Sequence, residues 1–182
     1  SKLSEDGTSL LGSTFIGGDK NDGLNQNALL KHNYSDDYRG DIITDDDGNI
    51  FVASVTLSDD MPLIKASQVA KSTAYDGYLF SLSGDCKTMQ WGTYLGGDGS
   101  DALYSIKLDQ NNNIYIGGGT SSIDLFTTDS VLSSSNNGST DGLIAIYSKE
   151  DFNLKRLSYW GTKEYDQIYF IDIDADNRIF AT

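Results

Sequence analysis

Three short turns concentrate oxygen-bearing side chains in this 182-residue sequence: DDDGN at 45–49, DQNNN at 109–113 and DADNR at 174–178. Oxygens at the first, third and fifth positions of a tight loop are part of what a calcium loop supplies. That reading makes Asp45, Asp47, Asn49, Asp109, Asn111 and Asn113 the ligands. Calcium takes about six to eight oxygens, commonly with a bidentate Glu closing the loop. No Glu stands there, and the third copy ends in Arg178, whose charge opposes a cation. The alternative is a hairpin turn, in which the leading Asp accepts backbone N–H groups and Asn or Gly takes the left-handed position. Apart from calcium in these turns, the sequence implies no cofactor.

Other catalytic constellations are lacking. His32 is the sole histidine, which leaves no histidine metal cluster and no nucleophile-elbow sequence beside a triad. The glycine pairs lack the Lys and helix of a phosphate-cradling loop. Paired carboxylates for glycoside hydrolysis fit so acidic a chain, but nothing singles out a pair. Asp22, Asp101 and Asp166 each follow a glycine turn by the same interval, and Asp76 and Asp141 each precede Gly at a strand start. Recurrence assigns these five to structure, holding loops through hydrogen bonds. Trp91 and Trp160 sit in or beside one strand pattern, where packing between sheets is the plainer role.

The elements that position these residues follow from a period. Asp45 and Asp109 lie 64 residues apart, Asp109 and Asp174 65, and Asp76 and Asp141 65. Self-similarity at a fixed spacing marks a repeat architecture. Each unit holds four short runs with alternating apolar residues bounded by Gly, Asn and Asp, in the best copy 103–108, 114–120, 143–148 and 154–159. Tyr104, Ile106 and Leu108 are expected on one face, as are Tyr169, Ile171 and Ile173. Four antiparallel strands per unit predict an all-β fold, a β-propeller built of four-stranded blades; a β-solenoid is the competing architecture, with shorter coils. Short helical turns suit Ile64–Lys71, and no domain boundary shows.

The expected layout is one propeller domain over 1–182: a polar leader at 1–9, the outer strand of a preceding blade at 10–18, blades at 39–97 and 103–161, and the first half of another at 167–182. That amounts to about two and a half to three blades, whereas closure takes about four to eight. The rest of a longer chain is therefore expected to complete the propeller.

One unit departs from the period. From Gly18 to Asp45 is 27 residues, but from Gly97 to Asp109 is 12. An insertion of about 15 residues within 22–39 enters what reads as a connection between blades, and such insertions gather on one face of a repeat array. It carries Lys31, His32, Tyr34, Asp36, Asp37 and Arg39, which makes these the candidate binding residues, although a variable surface loop accounts for them equally simply.

Composition bounds the partners. Thirteen basic and 27 acidic side chains give a net charge of −14, which argues against nucleic acid. Cys86 is the only cysteine, so no intrachain disulfide forms. No signal peptide or apolar run long enough for membrane insertion is visible.

The segments TYLGG-x-x-x-D (93–101), D-x-x-NNIYIGGGTSS (109–122) and DGLIA (141–145) resemble the bacterial β-propeller repeat family abbreviated SBBP. STFIGG, DDDGNIFVASVT, DDMP and DGYLFSL match it in the first unit, and DLF stands for its DFP-like segment in the second. The third unit keeps only YWGT and DADNRIFAT. The resemblance implies a secreted or cell-surface protein, often from Bacteroidota, in large chains with type nine secretion sorting domains. It carries over no catalytic residues. What it implies is a non-catalytic scaffold or interaction module for adhesion or protein–protein contact; the alternative is a carbohydrate-binding or carbohydrate-active propeller. A protein partner or a surface glycan is the expected ligand, contacted through the inserted loop and the polar loops near 57–75 and 121–140.

Overall fold

The structure, a computed structural model, describes residues 1–32 and 34–182, with the side chains of Tyr34 and Ser35 outside that description. It is all-β. A first hairpin pairs β1 (Lys2–Leu3) with β2 (Leu10–Gly12). One four-stranded antiparallel sheet follows, in the order β3 (Asp41–Thr44), β4 (Ile50–Thr56), β5 (Asp76–Leu82), β6 (Met89–Leu95). A second repeats it with β7 (Asp101–Leu108), β8 (Ile114–Thr120), β9 (Asp141–Tyr147), β10 (Leu154–Trp160). The hairpin β11 (Ile171–Ile173) and β12 (Ile179–Ala181) opens a third. Each sheet is a meander whose neighbours in sequence are neighbours in space, as in a propeller blade, so the fold is a β-propeller with two whole blades and part of a third.

The blades stack face to face through side chains that alternate along the strands. Phe51, Ala53, Leu79, Trp91 and Leu95 of the first blade are buried against Leu103, Ile106, Ile116, Tyr147 and Leu157 of the second. Trp91 is fully buried, 5.1 Å from the Phe152 ring and 5.2 Å from Tyr147, which fixes how the sheets meet. Trp160, at the equivalent end of β10, is 38% exposed and takes no such place. On the far side of the second blade, Tyr115 joins Ile168 and Ile171 of the third.

Four expectations need correction. Residues 1–9 are no leader. Ser4 donates to Asp6 Oδ1 at 2.6 Å and receives the Ser9 N–H at 3.0 Å, and Ser83, Asp85 and Thr88 make the same two bonds at 2.6 and 3.0 Å. Gly7 and Cys86 occupy the same left-handed position, at φ 71° and 61°. The segment is therefore another copy of the β5–β6 turn. Second, the expected outer strand at 10–18 is only three residues long, and its partner is β1. Third, Tyr104 does not share a face with Ile106. The register of β7 shifts between Leu103 and Ser105, a bulge that leaves Tyr104 with Ala102 and Leu30 while Ile106 joins Leu103 in the blade interface. Fourth, no helical turn forms over 64–71; the segment forms a bridge from Ile64 to Gly92 instead.

Candidate functional site

The three Asp turns have one geometry. In each, the leading Asp N–H bonds the carbonyl of the fifth residue and its carbonyl receives the fourth, which has positive φ: Gly48 at 79°, Asn112 at 59°, Asn177 at 61°. Asp45 Oδ1 accepts Asn49 N at 2.8 Å, Asp109 Oδ1 accepts Asn113 N at 2.8 Å, and Asp174 Oδ1 accepts Arg178 N at 2.9 Å. The other carboxylate oxygen takes a side-chain donor from the same fifth residue: Asn49 Nδ2 at 2.9 Å, Asn113 Nδ2 at 2.7 Å, Arg178 Nε at 2.7 Å.

Arginine thus replaces asparagine because the position supplies a donor. The amide oxygens turn outward, Asn49 Oδ1 to Gln90 at 3.0 Å and Asn113 Oδ1 to Lys155 at 2.6 Å. Lys149 of the second blade also reaches Asp45 Oδ2 at 2.6 Å. Burial pushes the Asp45 carboxyl upward, but the Lys149 and Asn49 bonds outweigh it and hold the group below its ordinary value. Asp47 and Asn111 are exposed, and Asn111 contributes only its backbone N–H to Asp109 Oδ1. The calcium reading required these oxygens to converge. They are instead spent on hydrogen-bond donors, and the turns have hairpin geometry.

A second repeated arrangement sits where one blade hands over to the next. Asp22, Asp101 and Asp166 each accept the N–H of the second turn residue: Gly18 at 2.7 Å, Gly97 at 2.9 Å, Thr162 at 2.6 Å. The next two N–H groups go to the neighbouring loop, Asp19 to Asp60 at 2.9 Å and Lys20 to Ser58 at 2.9 Å, and in the second copy Asp98 to Asp124 at 2.8 Å and Gly99 to Ser122 at 2.9 Å. Tyr94 and Tyr159 lock the loop behind: each hydroxyl receives a backbone N–H, from Met61 at 3.0 Å or Leu125 at 2.9 Å, and donates at 3.1 Å to the carbonyl of Ser58 or Ser122.

This junction also brings two carboxyl groups together. A Cβ on Gly96 would lie 2.6 Å from Asp101 Oδ2 and 2.8 Å from Asp76 Oδ2, so only glycine leaves room for both. Burial pushes Asp76 up to about 6, with Ser72 and Lys71 working against it. Burial likewise pushes Asp101 up to about 7, opposed by bonds from Thr120, Gly97 and Ser122 and reinforced by the charge of Asp76. One repeat later, Asp141 is raised by burial and by Asp166, beside Gly161. Sequence reading missed the pair because its members lie far apart in the chain and meet only through strand pairing.

The inserted loop is the single-copy feature. It does not enter a connection between blades. Asp22 bridges Thr56 as Asp101 bridges Thr120, so the insertion interrupts the innermost strand after its first residues and rejoins it at Asp41. Its body packs over the inner strands. Leu30 and Asn25 are fully buried; Asn25 bonds the Leu30 carbonyl and the Tyr104 hydroxyl, and Asn27 reaches Ser100 at 2.6 Å. Thr140 of the second blade donates to the Leu29 carbonyl at 2.9 Å.

Of the candidate binding residues, Asp36 is fully buried and receives His32 N at 2.9 Å, and Tyr169 donates to it. Lys31 pairs with Asp37 at 2.6 Å. Arg39 lies 4.6 Å over the Tyr169 ring and 5.1 Å over Phe170. His32 is exposed, with its ring 5.0 Å from that of Tyr165. The Tyr34 side chain lies outside the described residues. The loop is thus a tie between blades, and its free surface is Leu29, His32 and Tyr38.

Two cavities occupy successive blade junctions. One, about 350 Å³, is lined by Ser67, Gln68, Leu95, Gly96, Gly97 and residues of the second blade. The other, about 400 Å³, is lined one repeat later by Leu132, Ser133, Trp160, Gly161 and Thr162. Among the described residues, no helix is long and apolar enough to cross a membrane. No protein-family model matches the chain, and no match was found among curated proteins.

Proposed function

We propose that this chain is a non-catalytic propeller module that presents loops for protein–protein contact or adhesion, in a secreted or cell-surface bacterial protein of the kind the SBBP-like repeats suggest. The observation that carries the reading is the fate of the polar residues. Each recurrent carboxylate, hydroxyl and tyrosine at the junctions satisfies a backbone group in at least two copies. Reactive sites occur once, whereas structural devices recur with the repeat. The single-copy loop is held by ion pairs and ring contacts within the protein and offers an exposed rim, with Leu29 52% and Tyr38 77% accessible. Exposed apolar and aromatic side chains on a rigid support suit a contact surface.

The carbohydrate alternative draws on the paired Asp76 and Asp101 and on the partly exposed Trp160. A turnover screen against chromogenic glycosides, esters and phosphates, with a glycan array beside it, separates the readings. No turnover is expected. A hydrolytic rate abolished by Asp76→Asn would replace the interaction reading with an enzyme, and selective glycan binding would bring the carbohydrate reading forward.

A further inference from the structure

The two copies of the blade-junction loop differ in how their carboxylates are neutralised. In the first, Asp19, Asp59 and Asp60 bring oxygens within 4.8 Å of one another, and Lys20 Nζ sits 3.2 Å from Asp59. In the second, Asp98 stands for Asp19 and Asp124 for Asp60, but Gly99 replaces Lys20 and Ile123 replaces Asp59. Asp98 N–H bonds Asp124 Oδ1 at 2.8 Å, so the two carboxylates share one small region. Among the described residues, neither has an ion-pair partner. The hydrogen bond and the charge of Asp124 hold the Asp98 carboxyl above its ordinary value, as expected for like groups without a cation.

Asp124 also lines the cavity between the two whole blades. The walls there are Leu95, Leu154 and Leu157, and Phe126 stands at the rim, 82% exposed. A second observation comes from the lining. Tyr147 is fully buried, lines the cavity, and its hydroxyl makes no hydrogen bond of ordinary geometry; Ser67, which also lines it, comes near enough to act on the hydroxyl's titration. A buried hydroxyl without a bond calls for a ligand group to meet it.

We propose that this crevice receives the side chain of a lysine from a protein partner, its methylene stem over the leucines and Phe126, and its ammonium against Asp124 and Asp98. An ammonium has three donors and no acceptor, and the polar groups lining the crevice include the Asp124 carboxylate and the Tyr147 and Ser67 hydroxyls, all of which can accept. A leucine-lined groove suits a four-carbon stem that buries while its head stays near water. Phe126 adds an aromatic face for the cation. The first copy shows the same demand met from within the chain by Lys20. A net charge of −14 draws basic partners toward the surface, but only the second junction leaves its carboxylates beside an open apolar groove.

The site rests on the interaction role proposed above. The test is a titration of the whole chain, labelled at leucine methyls, with Nα-acetyl-lysine methylamide, its norleucine counterpart and methylammonium. Weak saturable shifts confined to the Leu154 and Leu157 methyls are expected with the lysine compound alone. Asp124→Asn, which keeps an oxygen for the Asp98 N–H, weakens binding about fivefold, whereas the exposed Asp47→Asn leaves it unchanged. Phe126→Ala, at an exposed position, lowers affinity without unfolding. No shift at these leucines, equal shifts with norleucine or methylammonium, or equal losses from Asp47→Asn and Asp124→Asn would overturn the site. A lysine-bearing peptide that binds no better than its acetylated form would do the same. Such a result leaves the interaction role standing, while turnover in the enzyme screen would remove that role with these titrations unaffected.

Discussion

Asp22 and Asp101 occupy the same place in two copies of one turn and make the same bond, to Gly18 at 2.7 Å and to Gly97 at 2.9 Å. Asp22 is half-buried, whereas Asp101 is fully buried beneath a second blade and beside Asp76. The motif therefore sets the hydrogen-bond geometry, and the neighbour sets the electrostatics. The tryptophans show the same contrast. Trp91 is enclosed between blades against Phe152, and the equivalent end of β10 leaves Trp160 38% exposed. Equal sequence roles do not give equal energetic ones, because burial is decided by what packs above.

Four perturbations break or sharpen that contrast. The largest removes the ring that joins the blades: Trp91→Ala should cost about 3–5 kcal/mol in urea denaturation, and Trp160→Ala about 1 kcal/mol. Similar losses would mean that the inter-blade core is not where stability resides. Next is the space between the carboxyl groups. Gly96→Ala places a methyl 2.6 Å from Asp101 Oδ2 and 2.8 Å from Asp76 Cγ, while Gly17→Ala meets only the movable end of Asp22 at 2.9 Å. The first should cost about 3 kcal/mol and the second about 1 kcal/mol, read as shifts in the denaturation midpoint.

The third concerns pH. Asp101 and Asp76 titrate near 7 and 6 in the folded chain, against 3.8 without the fold. Between these values the folded state holds protons that the unfolded state releases, so stability rises as pH falls from 7 toward 4. Asp45 is shifted the other way and loses its contribution only below 3.8, outside that window. Asp101→Asn removes the ionised form; it should gain on the order of 2 kcal/mol over the parent at pH 8 and flatten the rise. A parallel pH profile in the variant would show that the junction carboxyls are not the source.

Most of the architecture was legible because the turns carry it. Asp, Asn and Gly recur at fixed spacing wherever the backbone needs a left-handed residue, so the period and the strands β4, β6, β8 and β10 follow to within a residue. The copy at 1–9 escaped because its signal is only Ser4, Asp6 and Ser9 against Ser83, Asp85 and Thr88, a pattern common in polar tails. The bulge at Tyr104 is a one-residue shift that apolar alternation cannot register. The inserted loop misled for a different reason. Lys31, Asp36, Asp37 and Arg39 read as a polar surface, yet their charges pair with one another and with rings across the inner strands. Contacts between residues more than a hundred positions apart, such as Asp36 with Tyr169, leave no trace in local pattern.

The smallest expected effect decides what the Asp turns are. Asp45 holds the Asn49 backbone and amide and receives Lys149 from the second blade, whereas Asp47 of the same turn is exposed. A calcium loop would make the two aspartates alike, since both would be ligands. A hairpin makes them unlike: Asp45→Ala should cost about 2 kcal/mol, through lost charge-assisted bonds and a stranded lysine. Asp47→Ala should stay within about 0.5 kcal/mol. Both values should be the same in excess calcium and in chelator, measured by thermal unfolding. A loss at Asp47 that appears only with calcium would mean that the turn rearranges around the ion, with the Asn49 amide rotating its oxygen inward. Arg178 would then set the third copy apart, because its guanidinium has no oxygen to offer, and the stabilising effect of calcium should be absent from that turn alone.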